Sequence, residues 1–485
     1  MTASLLIDPK SELTILLTAT IQADLKSDNF LTVCTALQAI PTIANAELVS
    51  VFLPEVIALV RHDKDQVKRK ALLTMHCLLQ VDPTASADVE HIFIEKLGYK
   101  EPSVMLSVLP GLYGLIEENP EPYRGLVHYF TNILKQAAEG KLGRTWTIHR
   151  SPAPFLQIFL LRLLALLGSG SESSSGDMQV IIIDVWRRAE SLANQSGNAI
   201  LFECMKTATT IVPSETLYSM TLDTAARFLS STDNNLKCAG IETLSRLIDD
   251  GDAGKVQQHQ LAIVDCLKSS DLTLKSRTLD LLFKMTGPNN IDIIFQEMLA
   301  YVVDNSVDSE SRRSACIRLL EVAEKFSPSL NWFVDCVTTL LQSAGGLAPS
   351  AAEDSLISVL RNGSEGQDPE GDIMLQHRTC NRYYAMLSDS KLPDSLVRVI
   401  SWTIGEFGLD SGLTFDSICA ALGNILESYN KCAEVQIVAI MSLEKLNSRS
   451  GRDLPVETKE ILNDLRSSPH LEVQQTAVEA GSLAR

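Results

Sequence analysis

The residues able to hold a metal ion are eight histidines and ten cysteines. Ligation needs them at helical or knuckle spacing. His62, His76, His91 and His259 form neither HExxH nor a Cys/His cluster, and Cys34, Cys77, Cys204, Cys238 and Cys266 are scattered without any CxxC pair. No metal and no cofactor is predicted, and the cysteines read as reduced, mostly core-packing thiols. Gly168-Ser169-Gly170 lacks the preceding strand, the third glycine and the Lys-Ser/Thr ending of a phosphate-binding loop, so it reads as a linker. Asp249-Asp250-Gly251-Asp252 lacks the alternating ligands and the glutamate of a calcium loop and reads as a solvated turn. No GxSxG nucleophile elbow occurs, so no catalytic residue is predicted and the chain is not expected to be an enzyme. Asn194-Gln195-Ser196 and Asn362-Gly363-Ser364 match the glycosylation pattern and are read as chance matches in loops.

Binding chemistry is better represented. Lys68-Arg69-Lys70, Lys275 with Arg277, Arg312-Arg313 and Arg398 occupy related positions along the chain. One reading pairs them with acidic residues at preceding turns, such as Asp65 or Asp271, as a ladder of charges between repeats. The other makes them a surface for a partner or for membrane headgroups. Lys141, Arg144, His149 and Arg150 form a locally basic segment in a predicted loop of an acidic protein. Lys68, Arg69, Lys141, Arg144 and Arg150 are therefore the candidate partner or membrane contacts.

The formal net charge of −18 would repel a phosphate backbone, which excludes nucleic acid as a principal partner. Aromatic residues make up only 6% of the chain against 45% hydrophobic residues, a balance that suits helix-on-helix packing. The most apolar stretch, Phe155 to Leu167, includes Gln157 and Arg162 and is too short to span a bilayer. Met1 to Lys10 has neither a basic start nor an unbroken apolar run, so the cytoplasm is the expected compartment.

Elements that position these residues repeat. Val397-Arg398-Val399, Val435-Gln436-Ile437 and Val473-Gln474-Gln475 open similar segments 38 residues apart, and Trp402, Ile440 and Val478 keep that spacing. Leu236, Leu274 and Arg312 open another set, whose apolar positions Ile241, Leu279 and Ile317 are again 38 apart, while Leu72 and Leu109 are 37 apart. Within a unit the apolar residues fall on one helical stripe, as in Val67, Ala71, Met75, Leu78 and Leu79, or Val435, Ala439, Leu443 and Leu446. Ser270-Asp271, Pro213, Pro328 and Pro393 supply caps and stops. A helix pair of this length cannot cover its own stripe, so neighbouring pairs must stack into a superhelix. The predicted fold is an all-α solenoid of the HEAT/armadillo class over residues 1–485, with flexible insertions at 168–177 and 345–372, the second containing a short helix, Ala351 to Leu360.

Several stretches also resemble the trunk of the large adaptin subunits of vesicle-coat adaptor complexes. They are Ser151-Pro152-Ala153-Pro154-Phe155-Leu156-Gln157-Ile158 running on to Gly168, GNAILFEC from Gly197 to Cys204, and Gln258-His259-Gln260 running on to Ile291. AEKFSPSLNWF from Ala323 and VISWTIGEFG from Val399 to Gly408 complete the set. His259, Lys284 to Thr286 and the PAPF turn look most like the epsilon type within that family, with the gamma type of clathrin-associated complexes the nearest rival. The resemblance implies a superhelical trunk in a heterotetramer with a beta-type large subunit, a medium mu subunit and a small sigma subunit. It further implies recruitment by an Arf-type small GTPase to trans-Golgi network and coated-vesicle membranes, peripheral attachment there, and selection of transmembrane cargo tails without a requirement for clathrin. By that resemblance Met1 is expected to enter after the first helices of such a trunk, and Arg485 to precede the hinge and appendage. The resemblance therefore carries none of the cargo and phosphoinositide residues near the early trunk of related complexes onto this chain, and an uncovered apolar face is expected at Met1. A generic HEAT scaffold for other proteins is the remaining alternative.

Overall fold

Val67, Ala71, Met75 and Leu78 are completely buried along one side of the helix Asp65–Val81, as their spacing requires. In the computed structural model, residues 13–192, 194–212, 214–249, 253–364, 368–388 and 392–483 are described. Pro213, Asp250 to Asp252 and Met1 to Lys10, which carried a stop, part of the acidic turn and the uncovered face expected at Met1, lie outside them.

The chain divides into two compact units, Met1–Phe228 and Leu229–Arg485. In the first, Phe30–Ile43, Asp65–Val81, Pro102–Glu118, Pro154–Gly168 and Gln195–Thr210 pack successively side by side as one layer. Ala46–Leu59, Ser86–Leu97, Val127–Ala138 and Glu172–Leu192 each pack on a helix of that layer and make the second. In the second unit, Asn234–Asp249, Leu272–Met285 and Ser309–Phe326 are successive neighbours, as are Ser350–Asn362, Asp394–Phe407, Ala433–Ser450 and Leu471–Leu483. Ile291–Val303, Leu330–Ala344 and Pro369–Met386 stack on one side, with Phe415–Ser428 on Val456–Leu465 further along. Each unit is thus all-α, built of stacked helix pairs in the HEAT-like manner, and its core lies between the two layers.

The 38-residue register is exact at the core. Val397, Val435 and Val473 are fully buried, and so, one turn on, are Ser401, Ala439 and Ala477. At the neighbouring position only Ile440 is buried, Trp402 being half-buried and Val478 exposed. Ile317 does not take the core place expected of it and is 43% exposed. The cause is a one-residue shortening of that repeat. Asp271 and Asp308 each cap their helix by accepting backbone N–H bonds, and eight residues beyond each cap stand Leu279 and Cys316, both buried.

Neither insertion is simply a loop. Glu172–Leu192 begins inside the serine run, with Ser174 and Ser175 buried. Ser175 Oγ donates to the Gly168 carbonyl at 3.0 Å and accepts from the Val212 N–H at 3.2 Å. A Cβ on Gly168 would meet Ile211 at 2.5 Å. Small residues here permit close packing between elements, and composition alone mistakes that for flexibility. In the second stretch the expected short helix forms as Ser350–Asn362, and Pro369–Met386 starts before residue 372. Acidic residues serve as local acceptors there: Asp368 caps through Gly371 N–H, and Asp372 accepts from Ser364 N–H and Oγ at 2.8 and 2.9 Å.

The charge ladder exists with a different wiring. Arg277 reaches Glu242 at 3.5 Å, Lys284 reaches Asp249 at 2.8 Å, and Arg227–Glu190, Arg318–Asp280 and Lys445–Glu406 pair likewise, each between helices of adjacent repeats. Arg398 is bidentate on Glu353 at 2.9 and 2.5 Å and also meets Glu434. Lys275 pairs with Asp304 of the next repeat at 2.8 Å and not with Asp271, whose carboxylate caps its own helix. Capping N–H donors sit within the same turn, so they claim Asp271 first.

Candidate functional site

The basic segment leaves the helix Val127–Ala138 at Glu139 and turns at Gly140 and Gly143, where φ is +73° and +95°. A single 3₁₀ turn, Arg144–Trp146, leads into a two-residue strand, Thr147–Ile148, which pairs antiparallel with Ser151–Pro152. His149 and Arg150 form the tip at φ +48° and +68°. A two-residue hairpin of this hand requires positive φ at both tip positions, normally supplied by Asn-Gly. Side-chain-bearing residues there cost about 1–2 kcal/mol each, so neighbouring groups must hold them.

Three bonds do so. Asn194 Nδ2 donates to the His149 carbonyl at 2.7 Å while Asn194 Oδ1 accepts from the Gly197 N–H, capping the helix Gln195–Thr210. Gln157 Nε2, itself buried, donates to the Pro152 carbonyl at 2.5 Å. The Ala153 N–H donates to the Trp146 carbonyl at 2.8 Å. Both polar groups of the Asn194 amide are therefore engaged within the fold.

Lys141, Arg144, His149 and Arg150 are all exposed on this hairpin. Lys141 pairs with Glu139 at 2.5 Å, and that ammonium holds the Glu139 carboxyl below its ordinary range. Arg144 and Arg150 have no ion-pair partner among the described residues. Ile148 and Phe155 flank these cations and are 38% and 72% exposed. From Gly140 to Ser171 the chain contains no Asp or Glu. Beside the hairpin base lies a groove of about 450 Å³ lined by Lys135, Glu139, Val180, Ile183, Asp184 and Arg187.

The other candidates behave differently. Lys68 is not offered to a partner: its ammonium donates to Tyr99 Oη at 2.6 Å, contacts Asp65 at 3.1 Å and lies over the Tyr99 ring. The Tyr99 hydrogen bond raises its pKa and fixes its charge. The half-buried position arises because Lys68 follows Val67 on the core side, whereas Arg69 points outward, exposed and unpaired among the described residues. No hydrogen bond or ion pair joins Arg69 to the hairpin. Arg312 likewise turns inward onto the Val302 carbonyl at 2.6 Å.

Sequence reading missed the aromatic residues of the first unit's layer. Tyr113 and Phe159 meet edge to face at 5.9 Å, Arg162 pairs with Glu203 at 3.1 Å, and Lys206 lies 4.4 Å above the Phe202 ring. These side chains come from Pro102–Glu118, Pro154–Gly168 and Gln195–Thr210, three successive helices, and none of the aromatics is fully buried. Their helical phase, one or two residues off the buried stripe, was the available signal. Among the described residues no group of three or more His, Cys, Asp or Glu could hold a metal ion. No described helix is long and apolar enough to cross a membrane.

Comparison with known proteins places this geometry in context. The family described as the adaptin N terminal region matches residues 1–485. The AP-4 complex subunit epsilon of Arabidopsis thaliana is 35% identical over 100% of this chain and 52% of its own length. AP-4 complex subunit epsilon-1 of Homo sapiens is 30% identical over 94% of the chain and 40% of its own length, and AP-1 complex subunit gamma-1 of Arabidopsis thaliana 27% over 99% and 55%. The chain thus spans about half the length of these relatives. Among structures, one chain of a homology model of the full-length AP-3 complex is similar with a TM-score of 0.58 at 18% identity, covering 100% of this chain and 87% of that one. Yeast importin-beta follows at 0.51 and 12%, covering 98% and 57%, a likeness of fold alone.

Proposed function

The chain belongs to the adaptin N-terminal family, and from that membership we propose that it is the trunk of an epsilon-type large subunit in a heterotetrameric vesicle-coat adaptor complex. Its role there is to scaffold, holding a beta-type large, a medium mu and a small sigma subunit so that the complex selects transmembrane cargo tails. The observation that carries this reading is the likeness to the AP-4 epsilon subunits along the whole chain. The row of half-exposed aromatics and ion pairs from Tyr113 to Lys206 supports it, since aromatic and arginine side chains are enriched at protein interfaces.

The complex attaches peripherally to trans-Golgi network membranes, recruited by a GTP-loaded Arf-type GTPase from the cytoplasm. Affinity purification of the tagged chain from cells is the test. Medium, small and beta-type adaptins are expected in equal amounts with it. Recovery of nuclear transport factors or a phosphatase catalytic subunit in their place would make it a general HEAT scaffold, and recovery of clathrin-associated partners would favour the gamma type. Golgi staining that survives loss of the GTPase would remove the recruitment step.

A further inference from the structure

We propose that the hairpin from Lys141 to Phe155 is a contact for an anionic lipid bilayer, a role that rests on the reading of the chain as a peripheral membrane-coat subunit. Net charge alone predicts repulsion from such a surface, because carboxylates outnumber basic groups by 18. The hairpin departs from that average. Over Gly140 to Ser171 there is no carboxylate, and Lys141, Arg144, His149 and Arg150 are all exposed along the hairpin and the turn that leads into it.

Charge is joined there by apolar surface. Ile148 and Phe155 are exposed next to the cations, and Trp146 is half-buried at the hairpin's base. Apolar side chains among lysines and arginines are what an interfacial segment needs, the first entering the headgroup region and the second meeting lipid phosphates. The backbone is already fixed by Asn194, Gln157 and the Trp146 carbonyl, so contact requires no further ordering of the chain.

An acidic peptide is a poorer occupant. A peptide needs a groove or a free strand edge. The concavity at the hairpin base is not lined by Arg144, His149 or Arg150, and its Glu139 and Asp184 carboxylates are held in ion pairs with Lys141 and Arg188, so a peptide seated there would leave the hairpin's cations unused. The hairpin's two strands are two residues each and pair with each other. A flat anionic surface can meet the exposed end without entering the groove.

The test uses the full chain in sedimentation with phosphatidylcholine vesicles, with and without phosphatidylserine. Arg144→Gln with Arg150→Asn removes two positive charges, and Asn tolerates the left-handed backbone at position 150. Arg313→Gln with Arg452→Gln removes the same charge at two exposed positions elsewhere. Each basic side chain near such a surface strengthens binding about fivefold, so the hairpin variant is expected to bind serine-containing vesicles roughly 30-fold more weakly than the control variant. Circular dichroism should report the same helix content for both.

Equal weakening in the two variants would reduce the effect to bulk charge and overturn the proposal. So would indifference of the wild-type chain to phosphatidylserine, or a variant that loses binding to a polyglutamate peptide while keeping vesicles. Recovery of partner adaptins by the hairpin variant separates the outcomes. If assembly persists and vesicle binding never depended on the hairpin, only this contact fails, whereas loss of adaptin partners by the wild-type chain defeats the broader reading.

Discussion

Cysteines that offered no metal site in the sequence are packed as apolar residues in the structure. Cys204, Cys316, Cys380 and Cys419 are completely buried, and burial pushes the Cys316 and Cys419 thiols up to about 11 and the half-buried Cys336 to about 12. The folded chain therefore keeps protons that the unfolded chain releases above about pH 8.5. Since stability falls with pH wherever the folded state binds more protons, urea midpoints should drop as pH rises from about 9 toward 11. Alkylation at pH 8 should modify few thiols in the native protein and all ten in urea. Rapid native labelling of Cys316 or Cys419 would contradict the packing. Scattered spacing already argued for these roles, but which thiols are inert depends on helical phase, and Cys316 shows it by taking the core place that Ile317 was expected to fill.

Between elements, the repeat depends on how closely successive helices approach. Gly405 on Asp394–Phe407 faces Ser442 on Ala433–Ser450, and a Cβ there would lie 2.5 Å from the serine Cβ and 3.0 Å from its Cα. Gly405→Ala should destabilise by about 1–3 kcal/mol through overpacking, and Ser442→Gly should restore part of the loss. Gly114 lies inside Pro102–Glu118 with no atom near its missing side chain, so Gly114→Ala should stabilise by up to about 1 kcal/mol through helix propensity. Opposite signs in urea unfolding are the check; two neutral changes would mean the helices separate freely at Gly405. Both glycines look alike in a helical pattern. Only the neighbour one repeat away distinguishes them, as Ile211 does for Gly168 in the serine-rich stretch whose composition suggests a linker.

For the whole molecule, charge and fold act together. The excess of 18 negative charges predicts no measurable shift of duplex DNA in electrophoresis at physiological salt, with or without the Arg144 and Arg150 substitutions. A retarded band abolished by those substitutions would mean that the hairpin recognises phosphate on nucleic acid. Stacked helix pairs leave two long layered faces in each unit, and a protein that binds partners along such faces needs no deep polar pocket. Under the proposed scaffolding role, specificity is expected from side chains outside the core stripe, such as Phe159, Arg162 and Phe202.

Periodicity by itself determined the all-α class, the 37- and 38-residue units and most of the buried positions, because a helix stripe is set by residues three and four apart. Composition carried the expectation against nucleic acid, and unit-specific stretches such as PAPF and GNAILFEC pointed to the family. Tertiary structure decided what depends on contacts across repeats. It assigned Asp271 to a cap and Asp304 to Lys275, and folded the serine run into a helix. It also turned Lys68 onto Tyr99 and used Asn194 to hold His149 and Arg150 in a left-handed backbone that their own side chains disfavour. Those partners lie about 30 to 45 residues away in sequence, beyond any local pattern, and whether a charge is spare or engaged is settled only when they meet.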